Sequence, residues 1–105
     1  MSGSDVSALQ TAVNALSKTG ALLAADKLDE AKTLASGAWV ASLKRTVAAS
    51  GAGEGPAAAA ALTAALSSLP RSTSLAAAKT DYVAAVGAFK KWVVAAGLAT
   101  KLTGI

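Results

Sequence analysis

The residues in this 105-residue chain that could do chemistry are mainly the basic ones of its last third. Residues 70–105 carry five Lys or Arg and one acid, whereas acids and bases balance over residues 1–69. Lys79, Lys90 and Lys101 recur every eleven residues, so on one unbroken helix they would form a row with about 16 Å between neighbours. Such a row would suit an anionic membrane surface or the phosphates of a nucleic acid. The candidate contacts to an anionic partner are Arg71, Lys79, Lys90, Lys91 and Lys101.

Three carboxylates lie close together at Asp26, Asp29 and Glu30. Carboxylate oxygens are ligands that Ca²⁺ and Mg²⁺ prefer, but a cation site needs further oxygen ligands, and none follows at a recognisable spacing. Acidic side chains in the first turn of a helix also complement the positive end of its dipole. The sequence therefore predicts the start of a helix at residue 26 and no metal site.

Three glycines at positions 51, 53 and 55 precede a predicted helix, as glycines do in phosphate-binding loops. Such a loop normally follows a strand and ends in a Lys that contacts the phosphates. Here a helix is predicted before the loop, no such Lys follows, and Glu54 would repel a phosphate. We expect a flexible connection between helices at this point.

Composition excludes several classes of catalytic site. The chain has no His and no Cys, which rules out a Ser–His–Asp triad, a thiol nucleophile and a zinc site built from the usual nitrogen and sulfur ligands. No Ser stands three residues before a Lys, which is the spacing of one family of serine nucleophiles. We expect no enzymatic activity, no cofactor and no small-molecule substrate.

Apolar residues recur at steps of three and four, which indicates amphipathic helices, and the nine Val and Ile residues do not gather into alternating runs. The pattern predicts one all-α domain over residues 1–105, a compact bundle of about four Ala-rich amphipathic helices with short loops. The predicted helices cover residues 5–24, 26–49, 56–69 and 74–97, with a loop at 50–55 and a tail at 98–105.

Small side chains dominate both the core and the surface. Alanine supplies 29 of the residues, and only 15% of the chain is charged, against about 25% in an ordinary domain. Small side chains bury little apolar area per residue, so a core formed by this chain alone would be thin. Both features are typical of a surface that another molecule partly covers. The candidate contacts for such an assembly are Ala57, Ala58, Ala61 and Trp92.

These features favour a non-catalytic structural or assembly protein, one copy of many in a particle or filament such as a phage virion or a head-to-tail component. Its partners would be further copies of itself or other structural proteins. The alternative is a peripheral binding module that places its basic C-terminal helix on an anionic membrane surface or on nucleic acid.

The sequence also predicts where such a protein would be found. Its first residues lack the basic region of a signal peptide. The longest uncharged stretch, residues 55–70, is shorter than the roughly 20 residues that a membrane span needs. We therefore expect cytoplasmic synthesis of a soluble chain, with incorporation into an assembled particle.

Overall fold

The computed structural model describes residues 3–49 and 55–103, and within these ranges every regular element is helical. The all-α prediction is confirmed. Five α-helices and one 3₁₀ turn follow one another along the described chain: α1 Gly3–Ala24, α2 Leu28–Ala35, α3 Ala38–Ala49, α4 Gly55–Ser68, the 3₁₀ turn Leu69–Arg71 and α5 Leu75–Ala95. The predicted glycine-rich loop lies outside the described residues except for Gly55, which begins α4.

The helices pack into a compact bundle around one main core. α4 and α5 form the most extensive helix pair, and α1 packs against α2, α3 and α5. The radius of gyration is 12.9 Å, close to the roughly 13 Å typical of a 100-residue domain. The largest fully buried side chains of this core come from four helices: Leu9 on α1, Leu43 on α3, Leu62 and Leu66 on α4, and Phe89, Trp92 and Val93 on α5.

Asp26 ends the first helix rather than beginning the second, so the predicted helix start at residue 26 is wrong. Its backbone is left-handed, with φ at 61°, and its N–H donates to the Leu23 carbonyl at 3.1 Å. The N–H of the next residue donates to the Leu22 carbonyl at 2.9 Å, which completes a Schellman motif. α2 then begins at Leu28, with the other two carboxylates of the predicted acidic cluster in its first turn.

The single helix predicted over residues 26–49 is two helices, because the chain breaks between α2 and α3. The Trp39 indole Nε1 donates to the Leu34 carbonyl at 2.7 Å and so satisfies a carbonyl at the end of α2. Gly37 leaves room for that indole, since a Cβ at residue 37 would lie 3.0 Å from Trp39 Cδ1. A side chain that bonds back to the preceding helix end thus fixes this turn.

The ends of α5 are fixed by a capping side chain and by a left-handed glycine. The Ser74 Oγ accepts a hydrogen bond from a first-turn backbone N–H at 3.2 Å, as N-cap serines do. Gly97 has φ at 73°, and Leu98 donates its N–H to the Val93 carbonyl at 2.9 Å. This Schellman ending stops α5 at Ala95, two residues before the end predicted from the sequence.

The segment after α5 packs back onto the bundle. Leu98 and Leu102 are both buried and belong to the main core. The Gln10 side chain on α1 accepts a hydrogen bond from the Thr103 N–H at 2.9 Å and donates one to the Thr103 carbonyl at 3.0 Å. Residues 98–103 of the predicted tail therefore pack against the bundle through Leu98 and Leu102, and residues 104 and 105 lie outside the described residues.

Gly20 lies inside α1, at the point where the Tyr82 ring of α5 approaches. A Cβ at residue 20 would lie 2.6 Å from Tyr82 Cζ and would also meet the hydroxyl oxygen. Gly20→Ala is expected to lower the free energy of unfolding by about 1–3 kcal/mol, because the overpacking outweighs the roughly 1 kcal/mol by which Ala is the better helix former. Chemical denaturation measures the change. In a Tyr82→Ala background the same substitution should be neutral or stabilising, and an equal loss in both backgrounds would contradict this packing.

Candidate functional site

The outer surface between α4 and α5 forms an open groove of about 1310 Å³. α4 supplies three residues of its first two turns, and α5 supplies the rest, between Val83 and its end at Ala95. We call this surface the α4–α5 groove, and its lining residues are Ala57, Ala58, Ala61, Val83, Ala84, Gly87, Ala88, Lys90, Lys91, Val94 and Ala95.

Two exposed valines belong to the lining of the groove. Val83 is 67% exposed and Val94 is 68% exposed, and they are the large hydrophobic side chains that the described surface leaves in solvent. Eleven residues separate them, close to three turns of α5, so both lie on the same side of the helix. The small apolar side chains of the lining connect the two valines into one surface, and exposed contiguous apolar patches mark interaction sites.

Lys90 and Lys91 give the groove a positive charge. Both side chains are exposed, and they are the charged residues of the lining. Within residues 3–49 and 55–103, neither forms an ion pair with a carboxylate. The groove therefore combines an apolar floor of small side chains with two cations that have no counter-charge in the described chain.

The groove brings together residues that the sequence assigned to two different kinds of contact. Ala57, Ala58 and Ala61 were predicted as assembly contacts, and Lys90 and Lys91 were predicted as contacts to an anionic partner. In the structure all five line one surface, because α4 and α5 pack side by side.

Trp92 is not on this surface, so its prediction as an assembly contact is wrong. Its side chain is 0% exposed, and its ring stacks on Phe89 with centroids 6.3 Å apart and planes 9° from parallel. Both rings point into the main core. The physical reason is rotation along the helix: neighbouring residues differ by about 100°, which turns Trp92 into the core while Lys91 stays exposed.

The predicted row of three lysines does not form. α5 ends at Ala95, so Lys101 lies beyond the helix, in the segment that packs back onto the bundle. Lys79 lies outside the groove, with its Nζ 3.9 Å from Asp26 Oδ1 in an exposed ion pair. Arg71 is exposed at the end of the 3₁₀ turn, also away from the groove lining.

Sequence reasoning missed six of the groove residues, among them Val83, Gly87 and Val94. A signal was present for the valines. An apolar stripe at steps of three and four runs along α5 through Tyr82, Val86, Phe89 and Val93. Each exposed valine directly follows a residue of this stripe, about 100° away from it. Their helical positions alone place them away from the core.

A second cavity, of about 190 Å³, lies between α1 and α5. It is smaller than the roughly 300 Å³ at which small-ligand sites begin, and its lining contains no carboxylate. Burial raises the pKa of the Tyr82 hydroxyl in its wall, so that group stays neutral at physiological pH. The lining residues are Val13, Leu16, Ser17, Tyr82, Val86, Phe89 and Lys90.

Neither a metal centre nor a membrane span is found in the part of the chain that the structure describes. Over residues 3–49 and 55–103, no three His, Cys, Asp or Glu side chains come close enough together to hold a metal ion. None of the helices in the same ranges is long and apolar enough to cross a bilayer.

A family model described as MPH2, Maintenance of Photosystem II under High light 2, matches residues 7–105 of the chain. The matched range contains both helices of the α4–α5 groove and all of its lining residues. No curated protein and no solved structure matches the chain.

Proposed function

The chain belongs to the MPH2 family, Maintenance of Photosystem II under High light 2, and from that premise we propose that it binds a protein component of photosystem II in the α4–α5 groove. The observation that carries this proposal is the pair of exposed valines, Val83 and Val94, beside two cations without a described counter-charge. An apolar centre with a polar, solvent-accessible rim is the usual arrangement of a protein-binding surface.

Family membership corrects two expectations drawn from the sequence. The structural protein that is one copy of many in a particle or filament, such as a phage virion or a head-to-tail component, is wrong, because the family is one of photosystem II maintenance. A cytoplasmic chain built into a particle is wrong for the same reason, since the family is linked to photosystem II of the thylakoid. The alternative of a basic helix on a membrane surface or nucleic acid depended on the lysine row, which the end of α5 at Ala95 interrupts.

The proposed action is binding rather than catalysis. The chain contains no His and no Cys, and the titratable side chains of the groove are two lysines. A groove of this kind can recognise and hold a partner, but it offers no pair of groups that could act as general acid and base. The expected partners are protein components of photosystem II, because the family is one of photosystem II maintenance.

Reversing the groove charge tests the proposal. The double variant Lys90→Glu, Lys91→Glu is expected to bind purified photosystem II in detergent at least about tenfold more weakly than the wild type, or roughly 1.4 kcal/mol, because both cations lie beside the apolar contact. Co-sedimentation at several salt concentrations measures the affinity. Wild-type binding should also weaken as salt rises, since exposed charges are screened.

The matched control carries the same charge change elsewhere on the surface. Lys18 on α1 and Lys101 after α5 are both exposed and lie outside the groove lining. The variant Lys18→Glu, Lys101→Glu should bind photosystem II within about twofold of the wild type if location, not net charge, determines affinity. Equal losses in the two double variants would contradict a groove-specific contact, and no binding by the wild type would refute the proposed function.

A further inference from the structure

Gly87 lies in the middle of the α4–α5 groove, and no packing contact within the described chain requires a glycine at this position. A Cβ built on it meets no described atom within 4 Å beyond its chain neighbours and the adjacent backbone of α5, whereas a Cβ on Gly20 would clash with Tyr82. Gly in a helix interior makes the helix less stable than Ala does. Gly87 therefore weakens α5 without making room for any described part of the same molecule.

We infer that the occupant of the α4–α5 groove is an acidic amphipathic α-helix of the partner protein, which crosses α5 closely at Gly87 and places carboxylates beside Lys90 and Lys91. This inference rests on the proposed function, because it specifies the partner of the same groove. A glycine at a helix crossing lets the second backbone approach where a side chain would hold it away.

The dimensions of the groove fit a helix. The α5 part of the lining runs from Val83 to Ala95, twelve steps along the helix and about 18 Å in length. A partner helix of about twelve residues would cover that length. The volume of about 1310 Å³ exceeds the roughly 300–1,000 Å³ of small-ligand sites, so a segment of protein fits the groove better than a small molecule.

The side chains of the groove also fit a helix. Gly87 and the alanines of the floor are small enough for helix axes to approach near the short end of the usual 8–10 Å range. Val83 and Val94 stand about three turns apart and offer apolar contacts at the two ends of that floor. This is the helix-in-groove mode of recognition, in which apolar anchors recur at helical spacing.

Charge complementarity selects an acidic partner. Lys90 and Lys91 are the charged residues of the lining, and neither has a carboxylate partner in the described chain. A helix carrying Asp or Glu beside its apolar stripe would supply that counter-charge, whereas a basic helix would be repelled.

Gly87→Ala distinguishes a role of Gly87 in binding from a role in folding. The substitution should stabilise the free protein but weaken its binding to photosystem II. The variant should raise the Tm of the free protein by about 2–6 °C, since Ala is the better helix former. It should also bind purified photosystem II at least about fivefold more weakly, and Gly87→Leu more weakly still, because a side chain at the crossing separates the helices. A higher Tm with unchanged affinity in both variants would overturn the inference.

Gly3→Ala is the control for affinity, because Gly3, the first residue of α1, also has open space around its Cβ position and lies outside the groove. Its affinity for photosystem II should equal that of the wild type. A loss as large as that of Gly87→Ala would show that the effect is not specific to the groove and would overturn the inference.

A photo-crosslinking amino acid in place of Val94 identifies the occupant in a complex with purified photosystem II. The expected product is a peptide of a photosystem II subunit with excess Asp and Glu and apolar residues at steps of three and four. Products with lipid, with a second copy of this chain, or with a basic segment would overturn the inference.

The same crosslinker at Ala76, an exposed residue of α5 outside the groove, separates failure of the inference from failure of the proposed function. Crosslinks to photosystem II from residue 76 and none from residue 94 would show that the protein binds photosystem II but not through a helix in the groove. That result would overturn the inference and leave the binding of photosystem II standing. The absence of both crosslinks, together with no co-sedimentation, would refute the proposed function.

Discussion

Replacing Trp92 by Ala is expected to lower the free energy of unfolding by about 3–5 kcal/mol, the usual effect of truncating a large buried aromatic side chain. Trp92 is 0% exposed and stacks on Phe89, and both belong to the core that joins α5 to the other helices. Domains of this kind have about 5–15 kcal/mol of stability in total, so the substitution should remove a large fraction of it.

Denaturant titration followed by far-ultraviolet circular dichroism measures the effect of Trp92→Ala. Val94→Ala is the control on the same helix, because Val94 is 68% exposed and its truncation should change the free energy of unfolding by less than about 0.5 kcal/mol. If Trp92→Ala destabilised the protein no more than Val94→Ala does, the orientation of α5 would be wrong, and the groove with it.

The double variant Val83→Asp, Val94→Asp is expected to bind photosystem II at least about 30-fold more weakly than the wild type, corresponding to about 2 kcal/mol for the loss of a hot spot. Both side chains are exposed in the free protein, so the helical content and the Tm should change little. Affinity by co-sedimentation and stability by thermal melting, measured on the same sample, separate binding from folding.

Two exposed residues of α5 outside the groove provide the matched control, Ala76→Asp with Thr80→Asp. This variant adds the same charge to the same helix, and its affinity should remain within about twofold of the wild type because position, not net charge, matters. Equal affinity of the two double variants would show that the valines do not contact the partner.

The helical fold could be predicted from the sequence because apolar spacing is a local property. The break between α2 and α3 could not, since Gly37 alone costs only about 1 kcal/mol in a helix and is tolerated inside one. The break is stabilised by the Trp39 hydrogen bond to the Leu34 carbonyl and by the packing of the two short helices. Asp26 was similarly misassigned, because a carboxylate suits a helix start and also tolerates a left-handed helix end.

The candidate site could be predicted only in pieces. Ala57 and Lys90 were both selected from the sequence, but nothing local says that α4 and α5 pack side by side and bring them to one surface. The burial of Trp92 did have a local signal, since Ala85, Phe89 and Trp92 follow helical spacing on one face. The partner could not be read from the sequence, because a surface of small residues suits a particle and a photosynthetic complex equally well.

Hydrogen exchange measured by mass spectrometry, with and without saturating purified photosystem II, tests most directly whether the α4–α5 groove is the binding surface. The groove predicts slower amide exchange in peptides that cover residues 57–61 and 83–95, with little change over α1 and α2. Protection of α1 or α2 with unchanged exchange over residues 83–95 would place the contact elsewhere and contradict the assignment of the groove.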